Sequence, residues 1–459
     1  MSDSVALDGT PAAKPASSAR GLLIFYAICI GQIVSTVGSG LTGFAVRVWA
    51  YQRTGSATQF ALIALCYTLP GLLLLPFTGV LVDRYDKRWL MFLSDVGAGC
   101  GTLAIWFLLT TGHLEIWNIY LAVSVMSAFG ALRGPAYAAT TPVLVPKEQL
   151  GRANGLIQFG GAASQTLAPF LAGILLASMG LQGVTLIDLS TFVFAVLILS
   201  VVRLPKPDAM IHYEQKRAAF LKEALYGWQY IKERPGLLGL LLMSVIINGS
   251  ERMVVVLITP LVLGFSTAQV LGVISSFAGI GMILGAVTMS AWGGPKRRIY
   301  GVLGFTMLRA LLLFLGGLQP SALLIGIAAS LFLFFGQIGG GSAQALWQTK
   351  VAPEVQGRVF AILGLVSGAV TPFALVLAGT LVDNVFQPLL NPGGLLVNSV
   401  GRLIGVGPGR GIGLIFITLG ILNAIVVIAG YLHPRIRQVE SELPNAIENV
   451  LVSGSGQAA

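Results

Sequence analysis

Charged side chains are scarce in this chain of 459 residues, which carries 28 Lys and Arg, 18 Asp and Glu and three His. Charged residues make up 10% of the sequence, whereas a soluble globular domain is about 25% charged. A soluble fold of this size needs far more polar surface, so the composition excludes that class. The net charge of +10 does not indicate nucleic-acid binding, because the basic residues fall in short loops between apolar segments.

Cysteine and histidine are too few to support a disulfide framework or a persuasive metal site. Cys29, Cys66 and Cys100 all lie inside apolar segments, where pairing requires partners that face each other within a bilayer. The sequence contains neither an H-E-x-x-H motif nor a Walker-type G-x-x-x-x-G-K-[ST] motif. We therefore expect no enzyme activity, no cofactor and no metal, so that energy for any transport comes from an ion gradient or from the substrate's own gradient.

Long apolar segments occupy most of the chain, and 55% of its residues are hydrophobic. A helix of about 20 residues crosses the hydrocarbon core of a bilayer. The pattern predicts an all-α integral membrane protein with twelve transmembrane helices, which we number span 1 to span 12. They are expected near residues 22–46, 58–81, 89–110, 117–139, 153–178, 183–202, 237–262, 268–291, 300–318, 321–345, 358–381 and 412–432.

The spans form two sets of six on either side of one polar interior stretch. The first 21 residues are polar and lack the apolar core of a secretory signal. The predicted organisation is a disordered cytoplasmic tail at 1–21, a first half at 22–202, a cytoplasmic loop at 203–235, a second half at 236–432 and a cytoplasmic tail at 433–459.

An internal repeat relates the two halves at an offset of 206 residues. VPKEQLGR at 145–152 matches VAPEVQGR at 351–358, and LAGIL at 171–175 matches LAGTL at 377–381. Two six-span halves with the same orientation and a repeat at matching positions are typical of a transporter that arose by parallel duplication. The sequence thus predicts two parallel six-helix repeats.

The distribution of basic residues predicts the orientation. With both termini in the cytoplasm, 21 of the 28 Lys and Arg residues lie on the inner side, and three lie within spans. The four on the outer side are Arg47, Arg53, Arg402 and Arg410. This division is a strong positive-inside signal, which favours a multi-pass protein with both termini in the cytoplasm. The glycine run GVGPGRGIG at 405–413 falls outside and is expected to be a flexible loop.

Residues 79–88, GVLVDRYDKR, concentrate five charges in the cytoplasmic turn between spans 2 and 3. The stretch resembles the G-x-L-x-D-R-x-x-[KR]-[KR] signature of the major facilitator superfamily, matched by Gly79, Leu81, Asp83, Arg84, Lys87 and Arg88. The resemblance implies a conformational latch, in which the aspartate and the basic residues link helix ends across the two halves and favour the outward-open state. Alternatively, the basic residues serve only as positive-inside anchors.

The latch is expected to be asymmetric. The equivalent turn of the second half carries Lys296, Arg297 and Arg298 but no aspartate. A carboxylate can satisfy free N–H groups at a helix start, and ion pairs at a membrane interface are weak enough to break repeatedly.

Other stretches resemble the bacterial branch of this superfamily that contains macrolide efflux proteins and the enterobactin exporter. They are TGSATQFAL, TPVLVPKEQLGRANGL at 141–156, and LIDLSTFVFA. The resemblance implies an exporter of the bacterial inner membrane that moves an amphipathic drug, natural product or siderophore in exchange for protons, and we expect it to function as a monomer. The alternatives are a small-solute importer or facilitator, and a transport-inactive sensor or scaffold. APFLAG at 168–173 keeps only Pro169 and the last glycine of the G-P-x-x-G-G element of drug antiporters.

The superfamily lines its central cavity with spans 1, 4, 7 and 10, so polar residues at helical spacing in these spans are candidates for substrate contact. Small and hydroxylated residues also serve plain helix packing, which stays an alternative at each position. The candidates are Gln32, Ser35, Thr36 and Ser39 in span 1, Tyr120, Ser124 and Ser127 in span 4, Asn248 in span 7, and Gln337 and Gln344 in span 10.

Acidic residues inside spans are rare because a charge in hydrocarbon is costly. We expect Asp95 to form a structural ion pair with Arg133, and Asp188 to be buried and hydrogen-bonded, with a role in proton coupling as the alternative. Glu251 is the first candidate for the proton carrier, and its neighbour Arg252 points about 100° away around the helix. One of these two side chains should therefore face the cavity or a partner in another span. Alternatively, Glu251 forms a structural bridge with Arg309 or Arg252.

Overall fold

A computed structural model describes residues 18–146, 149–202 and 226–442. Eleven helices in these ranges are long and apolar enough to cross a membrane. Residues 1–17 of the predicted N-terminal tail, residues 203–225 of the predicted loop and residues 443–459 of the predicted C-terminal tail lie outside the described residues. The membrane helices are Ser18–Thr54, Ala57–Arg84, Lys87–Thr110, Ile116–Leu144, Leu150–Val201, Pro235–Leu263, Ala268–Trp292, Arg298–Leu318, Ala322–Lys350, Pro353–Leu381 and Arg410–Leu432.

The helix Leu150–Val201 contains two spans. Its 52 residues are interrupted at Gly180, whose φ of 67° and ψ of −174° are not helical. Glycine adopts a positive φ without steric cost, so it can turn the chain sharply between two antiparallel helices. Span 5 thus ends and span 6 begins at this turn, and the predicted all-helical membrane fold with two six-helix halves is confirmed.

The two halves meet along two pairs of helices. Span 2 packs against span 11, and span 5 packs against span 8. We call the end of the bundle that carries Ser18 and Leu432 the termini end, and the end that carries the turn at 55–56 the opposite end. The predicted topology places the termini end in the cytoplasm.

Glycines of the internal repeat lie at both of these contacts. Gly173 in span 5 and Gly379 in span 11 are separated by the repeat offset of 206 residues. A Cβ at Gly173 would stand 2.8 Å from the carbonyl oxygen of Ala268, at the start of span 8. A Cβ at Gly379 would stand 2.5 Å from the Cα of Thr58, at the start of span 2. The repeat therefore preserves one close backbone approach on each side of the bundle.

Carboxylates cap the equivalent helices of the two halves at the termini end. Asp86 precedes span 3, and its Oδ1 accepts the backbone N–H of Arg88 at 2.8 Å. Span 9 lacks an aspartate at that position, and Glu440 supplies the cap instead, accepting the N–H groups of Arg298 at 2.9 Å and Ile299 at 3.1 Å. The second half thus takes the missing carboxylate from the segment after span 12.

The prediction of a flexible loop over 405–413 is wrong from Arg410 onward, because span 12 begins there. Gly405, Gly407 and Gly409 have positive φ and form a turn before this helix. The Arg410 side chain is buried and donates to the carbonyl oxygens of Gly317 at 3.1 Å and Leu318 at 2.8 Å. Because carbonyls at a helix end have no partner within their own helix, a cation satisfies them well.

Candidate substrate cavities and membrane-embedded charges

Two cavities lie between the halves. The first, of about 470 Å³, is lined by spans 1, 2, 3 and 4 and by Gly368, Thr371 and Pro372 of span 11. The second, of about 240 Å³, is lined by spans 1 and 5 of the first half and spans 7, 8, 9, 10 and 12 of the second half. We call them the span 2–11 cavity and the span 1–7 cavity. Spans 1, 4, 7 and 10, in which the sequence predicts substrate contacts, each line at least one of them.

The span 1 candidates divide between cavity and packing. Ser39 lines the span 2–11 cavity. Gln32 and Ser35 are buried, and the hydroxyl of Thr36 donates to the carbonyl oxygen of Gln32 at 2.6 Å. The four candidates do not share one cavity surface. Ser164 of span 5 donates to the carbonyl oxygen of Thr36, which holds that face of span 1 against span 5. Of the four, Ser39 alone is among the residues that line these two cavities.

The candidates in spans 4, 7 and 10 also divide. Ser127 lines the span 2–11 cavity and accepts the N–H of Gly71 at 3.1 Å, whereas Ser124 donates to the carbonyl of Tyr120 within its own helix. Asn248 lies on the same face of span 7 as Thr259, which lines the span 1–7 cavity. In span 10, Gln337 is half-buried and Gln344 is exposed, and neither is among the residues that line the two cavities.

Asp95 and Arg133 form the expected ion pair. Their closest nitrogen and oxygen are 2.8 Å apart, and the Asp95 side chain is fully buried. Gln32 of span 1 donates to the other carboxylate oxygen at 2.7 Å. Arg133 also lines the span 2–11 cavity, so this network joins spans 1, 3 and 4 at the cavity wall.

A second ion pair lies in the other half, where it joins spans 7 and 9. Glu251 of span 7 and Arg309 of span 9 are 2.8 Å apart, with 32% of the Glu251 side chain and 11% of the Arg309 side chain exposed. The Arg309 guanidinium lies 4.1 Å from the ring centroid of Phe332 in span 10, which lines the span 1–7 cavity. Glu251 thus faces a partner in another span while Arg252 is exposed, which is the divergence that their spacing predicts.

Asp188 is fully buried between spans 6, 3 and 1. The hydroxyl of Thr102 donates to its carboxylate at 3.0 Å, and a Cβ at Gly38 would stand 2.8 Å from its other oxygen. No basic side chain of the described residues lies within ion-pair distance of Asp188. Asp188 is thus buried and hydrogen-bonded, as the sequence predicts, and it is not among the residues that line the two cavities.

The predicted latch is described only in part. The side chains of Asp83 and Arg84, and the surroundings of Gly79, are outside the described part of the structure. Arg88 donates through Nε to the carbonyl of Leu199 at 2.7 Å and through a terminal nitrogen to the carbonyl of Ser200. Both carbonyls end span 6, so this basic residue binds a helix of its own half rather than crossing to the second half.

A carboxylate contact at the opposite end was not predicted from the sequence. Asp383, at the end of span 11, accepts the Ser56 hydroxyl at 2.7 Å, the Thr58 N–H at 2.8 Å and the Ala57 N–H at 3.1 Å. These groups begin span 2, so a carboxylate of the second half caps a helix of the first half. S-A-T-Q at 56–59 indicates a helix start, but nothing in the local sequence shows which distant acid completes it.

Two parallel helical halves around interfacial cavities define a membrane transporter fold. The family model of the Major Facilitator Superfamily matches residues 28–375, and the chain belongs to this family of transporters rather than to an enzyme family. Macrolide efflux protein A of Streptococcus pyogenes is 25% identical over 367 residues, covering 79% of this chain and 90% of that protein. Enterobactin exporter EntS of Citrobacter koseri is 26% identical over 339 residues, covering 73% and 79%.

A solved structure shows the same fold. It is a bacterial homolog of the human lysosomal transporter Spinster in an inward-facing, unoccupied conformation. The TM-score is 0.65 at 14% identity, and the match covers 94% of this chain and 99% of that one.

Proposed function

We propose that this chain is a secondary active exporter that moves an amphipathic small molecule by alternating access in exchange for protons. The observation that carries the proposal is the span 1–7 cavity, which is walled by both halves and combines a mainly apolar lining with a few polar groups. Sites of this kind bind amphipathic ligands, because apolar walls supply affinity and sparse polar groups set orientation. Relatives named as macrolide and enterobactin exporters favour the outward direction.

Everted inner-membrane vesicles test direction, coupling and activity together. In the proposed orientation, vesicles that contain the protein accumulate labelled exported substrate when a proton gradient is imposed, and an uncoupler abolishes the accumulation. A panel of amphipathic compounds should begin with a macrolide and with enterobactin. Uptake only into right-side-out vesicles would indicate the importer alternative, whereas no flux in either preparation across the panel would favour the transport-inactive sensor.

We propose Glu251 as the proton carrier of this exporter. The partly exposed Glu251 carboxylate pairs with Arg309, and Arg309 also lies over the ring of Phe332 in the wall of the span 1–7 cavity. Protonation of Glu251 therefore changes the net charge beside a substrate bound in this cavity. Glu251→Gln is expected to abolish gradient-driven accumulation in proteoliposomes while downhill exchange of substrate persists. Asp188→Asn, which changes the second candidate, is expected to leave coupling intact.

Two outcomes would contradict this assignment. Full uphill transport by the Glu251→Gln variant would eliminate Glu251 as the essential carrier and direct attention to Asp188. Equal loss of uphill and downhill transport, together with a lower melting temperature, would show that the pair with Arg309 is a structural bridge. Removing one partner of a fully buried pair destabilises proteins by about 3–5 kcal/mol, and the partial exposure of Glu251 places the expected cost below that range.

We also propose that residues 79–88 act as the conformational latch of this exporter, with Asp83 as its essential carboxylate. Asp83→Asn removes one charge with little change in size, and we expect slower transport at near-normal expression. A loss of about 1–2 kcal/mol from one conformational state shifts a balanced equilibrium roughly 5- to 30-fold. Transport rate per molecule of protein is the measurement, and Asp86→Asn, which alters only a cap within one half, is the matched control. An unchanged rate for Asp83→Asn would reduce the stretch to a membrane anchor.

A further inference from the structure

Arg47 lies within the helix of span 1, not in the outer loop after it, where the sequence predicts it. Span 1 continues to Thr54, so Arg47 lies seven residues inside the helix, about 10 Å from its end. Arg47 lines the span 1–7 cavity together with Phe44 of the same helix and Thr259 of span 7. Within the described residues, Arg47 is therefore a cavity residue rather than a loop residue.

The Arg47 guanidinium has spare hydrogen-bonding capacity. Nε donates to the carbonyl oxygen of Gly43 at 2.7 Å, which fixes the side chain along its own helix. No hydrogen bond to the terminal nitrogens is formed within the described part of the chain, and no carboxylate there lies within 4.0 Å. An arginine presents paired N–H donors in a geometry that matches a carboxylate or phosphate.

The other membrane-embedded charges do not compensate Arg47. Asp95 and Glu251 each have an arginine at 2.8 Å, and Asp188 is buried beside Thr102, away from both cavities. Arg252 adds a further positive charge on the cavity side. It lies on the same helix face as Val255 and Thr259, both of which line the span 1–7 cavity, and it has no carboxylate within 4.0 Å among the described residues.

From this arrangement we infer that the span 1–7 cavity binds an amphipathic anion, with Arg47 as the anchor of its negative group. An unpaired cation in a poorly solvated cavity is costly, and an anion that shares its N–H donors offsets that cost. The walls suit an apolar body, because Val255, Ile258, Phe332, Leu333 and Phe416 surround the space. Gln165, Thr259 and Ser275 offer neutral hydrogen bonds along the same lining.

Three probes with the same ring and different charge test the inference. Purified protein in phosphatidylcholine nanodiscs is titrated with 2-naphthoate, 2-naphthalenemethanol and 2-naphthylmethylammonium. The anion is expected to bind at least tenfold more tightly than the other two, since hydrogen bonds to charged groups add roughly that factor or more. Arg47→Gln should remove this preference while leaving the affinity for the neutral alcohol unchanged, which shows that the cavity is intact.

Matched variants sharpen the result. Arg53→Gln removes an arginine from the same helix that lies over the Trp49 ring and outside both cavities, and it should leave all three affinities unchanged. Arg47→Lys keeps the charge and should retain part of the preference. Equal binding of the three probes by the unaltered protein, or an anion preference that survives Arg47→Gln, would overturn the inference.

The source of the anion is distinguished by lipid composition. At an ionic strength that screens the surface charge of the bilayer, replacing half of the lipid by phosphatidylglycerol should weaken naphthoate binding if an anionic lipid occupies the site, and should leave it unchanged if the site takes a solute. Either result retains the anion site. The inference names the substrate class of the proposed exporter, but the assay uses no gradient, so anion binding can fail while uphill export stands, and the reverse.

Discussion

Replacing Asp383 by Asn is expected to open the opposite end of the bundle. The carboxylate accepts three hydrogen bonds from the start of span 2, at 2.7, 2.8 and 3.1 Å, and its charge faces the positive end of that helix. A carboxamide offers a single oxygen and turns an N–H₂ group toward N–H donors. We expect the contact between the halves to weaken by about 1–3 kcal/mol, a shift of roughly 5- to 150-fold between conformations.

Distances between spin labels at His113 and Leu323 measure this shift, because both side chains are exposed at the opposite end and belong to different halves. The three native cysteines are first replaced. Glu115→Gln is the matched control: it makes the same chemical change at the same end, but Glu115 caps span 4 of its own half. If Asp383→Asn and the unaltered protein gave the same distance distribution, the contact would have no part in closing this end.

Gly379→Ala is expected to impair transport by a steric route. The added methyl would lie 2.5 Å from the Thr58 Cα and 3.0 Å from the Ala57 carbonyl oxygen, and both are backbone atoms that cannot move independently. Spans 2 and 11 must therefore separate. Overpacking of this kind costs about 1–3 kcal/mol, whereas alanine in place of glycine otherwise stabilises a helix by about 1 kcal/mol. Transport per molecule should fall at least several-fold while the helical content is retained.

Gly364→Ala provides the control within the same helix, because a Cβ there meets nothing within 4 Å. It should transport normally and be slightly more thermostable. The repeat partner Gly173 should behave like Gly379, since its Cβ would lie 2.8 Å from the Ala268 carbonyl oxygen. Normal transport by Gly379→Ala would show that the bundle does not need this close approach, and would remove it from the closing mechanism.

The membrane class, the twelve spans and the duplicated halves were predicted correctly because hydropathy is a local property. Each span can be recognised from the hydropathy of its own 20 or so residues. The repeat at an offset of 206 residues can be recognised by aligning one half of the sequence with the other. The ion pair between Asp95 and Arg133 could also be predicted from the sequence, because the two residues lie in adjacent spans at matching depth.

Which face of each helix meets which neighbour was decided only by the tertiary structure. Asp383 and Ser56 are 327 residues apart, and no local pattern brings them together. The same holds for Arg410, whose carbonyl acceptors belong to the end of span 9. Arg47 was assigned to a loop because a charge usually ends a span, yet the helix continues and the side chain enters a cavity. Helix rotation and long-range packing are cooperative properties of the whole bundle, whereas composition and periodicity act within one segment.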